Sequence, residues 1–323
     1  MRVLVTGGCG FVGAAVVRLA VERGDQVLNL DRRKKNIAVP ALGPVAQREG
    51  YARLEADVTD RAMIRAIMRE FAPDAVIHLA ASVDDDPGAM VDSEIGGAFA
   101  VIEAARQYCE KLTGDARRRF RLVHAERGES DVPETPTRSH AARGAAAALL
   151  DRWARANDVP LVTCVAGEAF GPWQANASFM ARLVASLLYG QPFQMAASGE
   201  TVRDWLPIRD FASGLLLAAQ AAPPLSRFDL SVGAERRDID IAESVCSLLD
   251  ERSPMTRQSW SSLLVVDGGG AGASAGPMLD TIEAERDLGW RPQGFHTGLD
   301  RLLSWALASH AASQARRTAI AAE

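Results

Sequence analysis

Lysine and tyrosine are almost missing from this sequence of 323 residues: lysine stands only at 34, 35 and 111, and tyrosine only at 51, 108 and 189. No tyrosine has a lysine four residues on, because Tyr51, Tyr108 and Tyr189 are followed there by Glu55, Leu112 and Phe193. The four cysteines (Cys9, Cys109, Cys164, Cys246) are too scattered for a CxxC metal or redox pair, and a disulfide framework is not expected. No run approaches the ~18 apolar residues needed to span a bilayer, and Met1-Arg2-Val3-Leu4-Val5-Thr6-Gly7 lacks the long apolar segment of a signal peptide. A basic surplus is also absent. With 36 Lys plus Arg against 41 Asp plus Glu, the net charge is -5, which gives no electrostatic reason to expect a nucleic acid or an anionic membrane as partner. The expectation is a cytoplasmic protein without structural zinc.

What is present is an ordinary globular composition, 48% hydrophobic and 24% charged, in a length that suits one large domain or two of common size. The first half alternates short β-branched runs with helical segments. Strands are expected at Arg2 to Thr6, Gln26 to Leu30, Asp74 to Leu79, Phe120 to Ala125 and Pro160 to Ala166. Helices are expected at Phe11 to Arg23, Arg61 to Phe71, Glu94 to Leu112 and Ala141 to Ala156. Continuous apolar strands separated by helices imply a parallel sheet covered on both faces, so the fold class is α/β, a doubly wound parallel sheet. After Gly171-Pro172 the rhythm changes. Helices at about 178–189, 209–221, 240–250 and 295–309 are interleaved with few strands, such as Phe228 to Val232 and Leu263 to Val266. The division expected is a dinucleotide-binding domain over 1–170 and a smaller carboxy-terminal substrate lobe over 171–315, with segments returning to the first domain. The glycine-rich stretch 268–276 reads as an exposed loop.

Gly7-Gly8-Cys9-Gly10-Phe11-Val12-Gly13 sits between the first strand and the first helix. A lone glycine pattern is weak, but strand–turn–helix is the context that gives it meaning. Gly7, Gly10 and Gly13 let the backbone turn tightly and approach a pyrophosphate, while the helix amino terminus at Phe11 and Val12 offers free N–H groups. Asp31 ends the second strand, where a carboxylate binds adenosine ribose hydroxyls. That favours NAD, although Arg32 and Arg33 leave NADP open through the 2′-phosphate.

Together with Asp57-Val58 and His78-Leu79-Ala80-Ala81, the glycine motif resembles that of the extended short-chain dehydrogenase/reductase family, nearest to its dTDP-glucose 4,6-dehydratases and nucleotide-sugar epimerases. The likeness runs on through Gly171-Pro172, Val202-Arg203-Asp204-Trp205-Leu206 with Asp210, and Ala284 to Pro292. It implies that Asp57 and Val58 flank the adenine, that Leu79, Ala80 and Ala81 line the cofactor channel, and that Arg203 reaches a substrate phosphate with its planar donor fork. It also implies a homodimer, built by pairing the helices at 94–112 and 141–156.

The departures from the family are as telling. Its members carry Tyr-x-x-x-Lys at the start of the helix expected at 141–156; the tyrosine, held as phenolate, removes a hydroxyl proton as hydride leaves the sugar. Aligned on that helix, Ser139 falls where the tyrosine belongs and Arg143 where the lysine belongs, and no other register supplies the pair. The family's Ser/Thr-Asp-Glu run appears as Glu126-Arg127-Gly128-Glu129, keeping only the last acid. Two family asparagines become Glu94 and Glu168, and the arginine-bearing segment that grips the nucleotide diphosphate is replaced by the stretch 268–276.

Substitutes for the missing base are few. Serine is too weak an acid to replace an activated tyrosine. An imidazole ordinarily titrates near pH 6.5, so His140 suits proton transfer near neutrality. Arg143, three residues on and on the same helix face, would favour the neutral base and could bind ribose hydroxyls. His140 reads equally as a surface histidine at a helix start, and His124 as a hydrogen-bonded residue at a strand end. Glu126, Glu129 and Glu168 read either as an acidic cluster holding a general acid or as carboxylates paired with Arg121, Arg127 or solvent. Asp84-Asp85-Asp86 has no complementary ligand elsewhere, and no metal is expected. Three functions stay open. One is an atypical NAD-dependent enzyme on a sugar-like or nucleotide-sugar substrate, with His140 or a glutamate in place of tyrosine. The second is a catalytically silent scaffold that keeps the cofactor, and the third a non-redox enzyme reusing the pocket.

Overall fold

The computed structural model describes residues 1–33, 39–81, 86–127, 137–174, 178–195, 199–233, 235–266 and 279–321. The chain begins β1 (Arg2–Thr6), α1 (Phe11–Glu22), β2 (Gln26–Asp31), β3 (Tyr51–Glu55), α2 (Arg61–Phe71) and β4 (Ala75–His78). Next come α3 (Pro87–Val91), α4 (Gly97–Cys109), α5 (Gly114–Arg119), β5 (Arg121–Arg127), α6 (Arg138–Ala156) and β6 (Leu161–Ala166). The remainder is β7 (Glu168–Phe170), α7 (Phe179–Leu188), β8 (Phe193–Met195), β9 (Val202–Pro207), α8 (Ile208–Ala221), β10 (Ser226–Leu230), β11 (Glu235–Arg237), α9 (Asp238–Arg252), β12 (Leu264–Val266), α10 (Ile282–Leu288) and α11 (Phe295–Ala321). Among the described residues no helix is long and apolar enough to cross a membrane.

Seven strands form one parallel sheet in the order β10-β6-β5-β4-β1-β2-β3. The order reverses between β1 and β4, and the crevice beyond their carboxyl ends is where a doubly wound sheet binds ligands. On one face α1 and α8 bury Val16, Val17, Phe211 and Leu215 against the sheet; on the other, α2, α4 and α6 bury Ile64, Val101 and Leu150. A third cluster, built around Phe170, Met180, Trp205, Ile241 and Phe295, fills the part of the chain that follows β6. There β9 pairs in parallel with β7 and antiparallel with β11, while β12 pairs with β8.

Several segments depart from the sequence reading. The helix expected over 94–112 is preceded by α3, passes through a single π-helical turn at Asp92–Gly96, and continues as α4 only to Cys109. Gly97 marks the junction, since a Cβ there would meet Val58 Cγ2 at 2.7 Å; the close approach of the two segments requires glycine. The last helix runs to Ala321 instead of 309, carried on by an alanine-rich tail of high helix propensity. Strands β3, β7, β8, β9 and β11 were not expected, because each interrupts its apolar residues with charge or is only three residues long.

Asp210, in the first turn of α8, closes the fold. Its Oδ2 accepts from the backbone N–H groups of Gln293 (3.0 Å) and Gly294 (3.2 Å), and its carbonyl accepts from Trp290 Nε1 (3.0 Å). The segment after α10 is thereby tied to the helix that packs on α1. Burial nevertheless pushes this carboxyl up, with the two backbone donors pulling it back.

Candidate functional site

The turn between β1 and α1 is built for close approach. Gly7 has φ +72, and a Cβ on it would sit 2.6 Å from Leu79 O and 2.7 Å from Ala80 N. A Cβ on Gly13 would lie 2.2 Å from Gly7 O. Gly10 N donates to Gly7 O (3.0 Å), and among the described residues no side chain caps α1 at its amino end. The first N–H groups of a twelve-residue helix therefore point outward with the positive end of its dipole. Thr6 locks the neighbouring strand end in place: its Oγ1 lies 2.8 Å from His78 Nδ1 and accepts from Leu79 N (3.3 Å) and Ala80 N (3.4 Å).

Around this turn lies a groove of about 520 Å³, within the roughly 300–1,000 Å³ common for small-molecule sites. It is lined by Gly7, Gly10, Phe11, Val12 and Gly13 of the turn, by Asp31, Arg32 and Arg33 after β2, and by Val58, Leu79, Ala80 and Ala81. The sequence reading missed Cys9, Leu30, Ala56 and Ser93, which also line it. Ala56 and Ser93 carry no motif, and only the sheet order brings them here. Asp31 is fixed by two backbone donors, Cys9 N to Oδ2 and Arg33 N to Oδ1, both 2.9 Å. Asp57 stands outside the groove lining; its Oδ1 accepts from Thr59 N and Oγ1, and its Oδ2 lies 4.0 Å from Arg32 Nη1. Burial pushes the Cys9 thiol up, and the Asp31 carboxylate beside it adds to the shift.

The amino end of α6 brings Ser139, His140 and Arg143 together. Thr137 caps the helix by accepting from His140 N (3.3 Å), and its Oγ1 lies 2.7 Å from His140 Nδ1. Ser139, His140 and Arg143 are all half-buried. Arg143 Nε lies 3.6 Å from Glu94 Oε1, an ion pair too long for a hydrogen bond. Glu94 is 6% exposed and belongs to the same π-helical turn as Ser93 of the groove wall. The glutamate at the family's asparagine position thus faces the arginine at the family's lysine position.

Two imidazoles stack where the carboxyl end of β4 meets the middle of β5, His78 on His124, with centroids 5.8 Å apart; His124 is thus within its strand, where the sequence reading places it at a strand end. Burial pushes His78 down to about 3 and His124 down to about 4, the neighbouring ring adding to the first shift. Both are neutral at physiological pH. Among the described residues His124 Nδ1 has no hydrogen-bond partner.

Beyond the carboxyl end of β6, Gly167 lets β9 come close, since a Cβ there would meet Asp204 O at 2.3 Å. Arg203 on this strand is held by Asp238: Nε donates to Oδ1 at 3.0 Å and to Oδ2 at 3.4 Å, and Nη2 donates to Oδ2 at 3.4 Å. Burial raises the Asp238 carboxyl while Arg203 pulls it down; it also raises the Asp204 carboxyl next to it in sequence. Glu168 is half-buried at the start of β7, beside Trp205 of β9. Glu126 accepts from Arg227 Nη1 (3.0 Å), a partner on β10 that the sequence reading had not offered. Glu129, Asp84, Asp85 and the stretch 268–276 lie outside the described residues.

Comparison with known proteins follows the same outline. Residues 3–231 match the model of the NAD dependent epimerase/dehydratase family. A probable dTDP-glucose 4,6-dehydratase of Sinorhizobium fredii is 31% identical over 95% of this chain and 93% of its own. Among solved structures, dTDP-glucose 4,6-dehydratase of Bacillus anthracis in complex with NAD superposes with TM-score 0.77 at 16% identity, over 94% of this chain and 96% of the other. UDP-glucose 4-epimerase of Thermotoga maritima with UDP-glucose gives TM-score 0.76 at 20% identity, over 96% and 99%. At such identities the two structures speak for the shared fold alone.

Proposed function

The chain belongs to the NAD dependent epimerase/dehydratase family, and from that premise we propose that it holds NAD in the groove at the β1–α1 turn and acts on a sugar-like substrate without the family's tyrosine–lysine pair. The observation that carries the cofactor half is the glycine cradle, where a side chain on Gly7 would strike the backbone of Leu79 and Ala80 and one on Gly13 the backbone of Gly7 and Gly8, so that only glycine allows the tight turn that suits a pyrophosphate. The uncapped start of α1 supplies N–H donors for the phosphates, and the Asp31 carboxylate accepts from the ribose hydroxyls. Asp31 repels a 2′-phosphate, which favours NAD over NADP. When bound, NAD supplies a hydride acceptor.

The proton that leaves a substrate hydroxyl then needs a base. Thr137 Oγ1 lies 2.7 Å from His140 Nδ1; in the tautomer whose Nδ1–H donates to that hydroxyl, the Nε2 lone pair is left for the proton, and Ser139 and Arg143 on the same helix end orient the ribose and the substrate hydroxyl. A second reading, a silent scaffold that keeps the cofactor for stability, draws support from the Glu94–Arg143 ion pair. The buried carboxylate cancels the positive charge that would otherwise assist proton removal.

Calorimetric titration with NAD and NADP tests the cofactor half. NAD binds with the higher affinity, and Asp31→Ala weakens it by about tenfold, roughly 1.4 kcal/mol, while narrowing the margin over NADP. A protein that binds neither dinucleotide sinks the proposal. For the chemistry, His140→Ala removes reduction of bound NAD, followed at the absorbance of the reduced nicotinamide, and leaves NAD affinity unchanged. Undiminished reduction in that variant assigns the proton to another group.

A further inference from the structure

We infer that Asp238 is a specificity-determining residue: it occupies Arg203 with a buried carboxylate, so that the substrate is a hydroxylated compound carrying no diphosphate at that end of the site. The inference deepens the proposed function and rests on it for the location of the substrate, beyond the carboxyl end of β6 and beside the amino end of β9. β11 runs antiparallel to β9 with Arg237 opposite Val202. The next residue, Asp238, is carried into the first turn of α9, where its N–H donates to Thr201 O (2.9 Å). Its carboxylate is thereby delivered to the Arg203 fork in a multiply hydrogen-bonded contact, with Asp238 7% and Arg203 31% exposed.

An arginine that grips a diphosphate must present its donor fork to the incoming oxygens. Here Nε and Nη2 already serve Asp238. A diphosphate would have either to displace a carboxylate that has little access to water or to take the remaining N–H groups of the guanidinium with its own negative charge set beside that carboxylate. The neighbouring arginines do not offer a replacement. Arg236 lies over the Phe295 ring at 4.7 Å, and Arg237 is shared between Asp240 and Glu200. At the opposite side of the candidate site, Arg143 is matched in the same way by buried Glu94. Arg203 and Arg143 are thus each paired with a buried carboxylate from within the protein. Hydroxyl groups suffer no such conflict, since a carboxylate–guanidinium pair offers them both acceptors and donors.

Isothermal titration with dTDP and with UDP, on protein with and without saturating NAD, is the test. The wild-type chain is expected to show no saturable binding of either diphosphate at millimolar concentrations. Asp238→Asn, which keeps the shape and removes the charge, frees Arg203 and tightens binding by about tenfold or more; adding Arg203→Ala abolishes that gain. Saturable binding of dTDP or UDP to the wild type that is lost in Arg203→Ala overturns the inference, as does a folded Asp238→Asn protein that gains nothing. Should Asp238→Asn fail to fold, Asp238→Ala and the wild-type measurement decide by the same criteria. NAD titration of the same samples reads the cofactor proposal separately. A chain that ignores NAD yet gains diphosphate binding on loss of Asp238 keeps this inference alone, and one that holds NAD while gripping dTDP through Arg203 refutes it alone.

Discussion

A methyl group on Gly13 would sit 2.2 Å from Gly7 O and 2.7 Å from Gly8 Cα, both backbone atoms of the turn that meets the cofactor. Gly13→Ala must therefore open the turn. The expected outcome is about 1–3 kcal/mol of lost stability in urea and loss of NAD binding in calorimetry. Gly10→Ala meets only Gly7 O at 3.2 Å and stays closer to the wild type in the urea experiment. The stacked histidines make a second prediction at this scale. In the unfolded chain an imidazole takes up its proton near pH 6.5, whereas burial holds His78 down to about 3 and His124 to about 4. Stability is then level above pH 6.5 and falls as pH drops toward those folded-state values, because the unfolded chain binds protons that the native chain refuses. By pH 5 the pair removes roughly 2–4 kcal/mol. The carboxyls of Asp204, Asp210 and Asp238, raised by burial, act with the opposite sign. His124→Gln isolates the imidazole part: the shift of the urea midpoint between pH 7.5 and 5 shrinks by about half, and an unchanged shift removes the histidines from the account.

Asp210 joins elements that lie far apart in the chain, α8 and the segment entering α11. Asp210→Ala leaves the N–H groups of Gln293 and Gly294 without their acceptor and is expected to cost about 2–4 kcal/mol. Asp210→Asn, which keeps one carbonyl oxygen, is expected to recover much of that loss in the same urea titration. Equal losses in the two variants exclude the backbone contacts as the cause. Which elements the sequence revealed follows from where their stabilisation originates. β1, β4 and β6 are continuous apolar runs buried on both faces, and such runs are legible without a partner. β9 mixes Arg203, Asp204 and Pro207 with Trp205; it is a strand because β7 and β11 flank it, which is tertiary context. The site divides in the same way. The glycine turn and Asp31 are readable because their geometry is local, while the Arg203–Asp238 and Arg143–Glu94 pairs depend on distant residues meeting in space.

At the scale of the whole molecule, the sheet and the later segments are interleaved. β10 forms an edge of the seven-stranded sheet, α8 packs beside α1, and Asp210 binds the approach to α11 back to α8. A chain wired this way should unfold as one cooperative unit, although the groove is built almost wholly from residues before Ile95. NAD at 100 times its dissociation constant adds about 2.7 kcal/mol to the native state. With an unfolding entropy of about 2.1 cal/mol/K per residue over 323 residues, that raises Tm by about 4 °C if the entire chain melts together. A smaller cooperative unit carrying the groove would be displaced further, because the same binding energy acts against a smaller entropy. Differential scanning calorimetry with and without NAD distinguishes the two cases. A single transition that moves as a whole by about 4 °C fits the interleaved fold, whereas two transitions, of which NAD moves one, would show that the residues after Gly171 melt independently despite sharing the sheet.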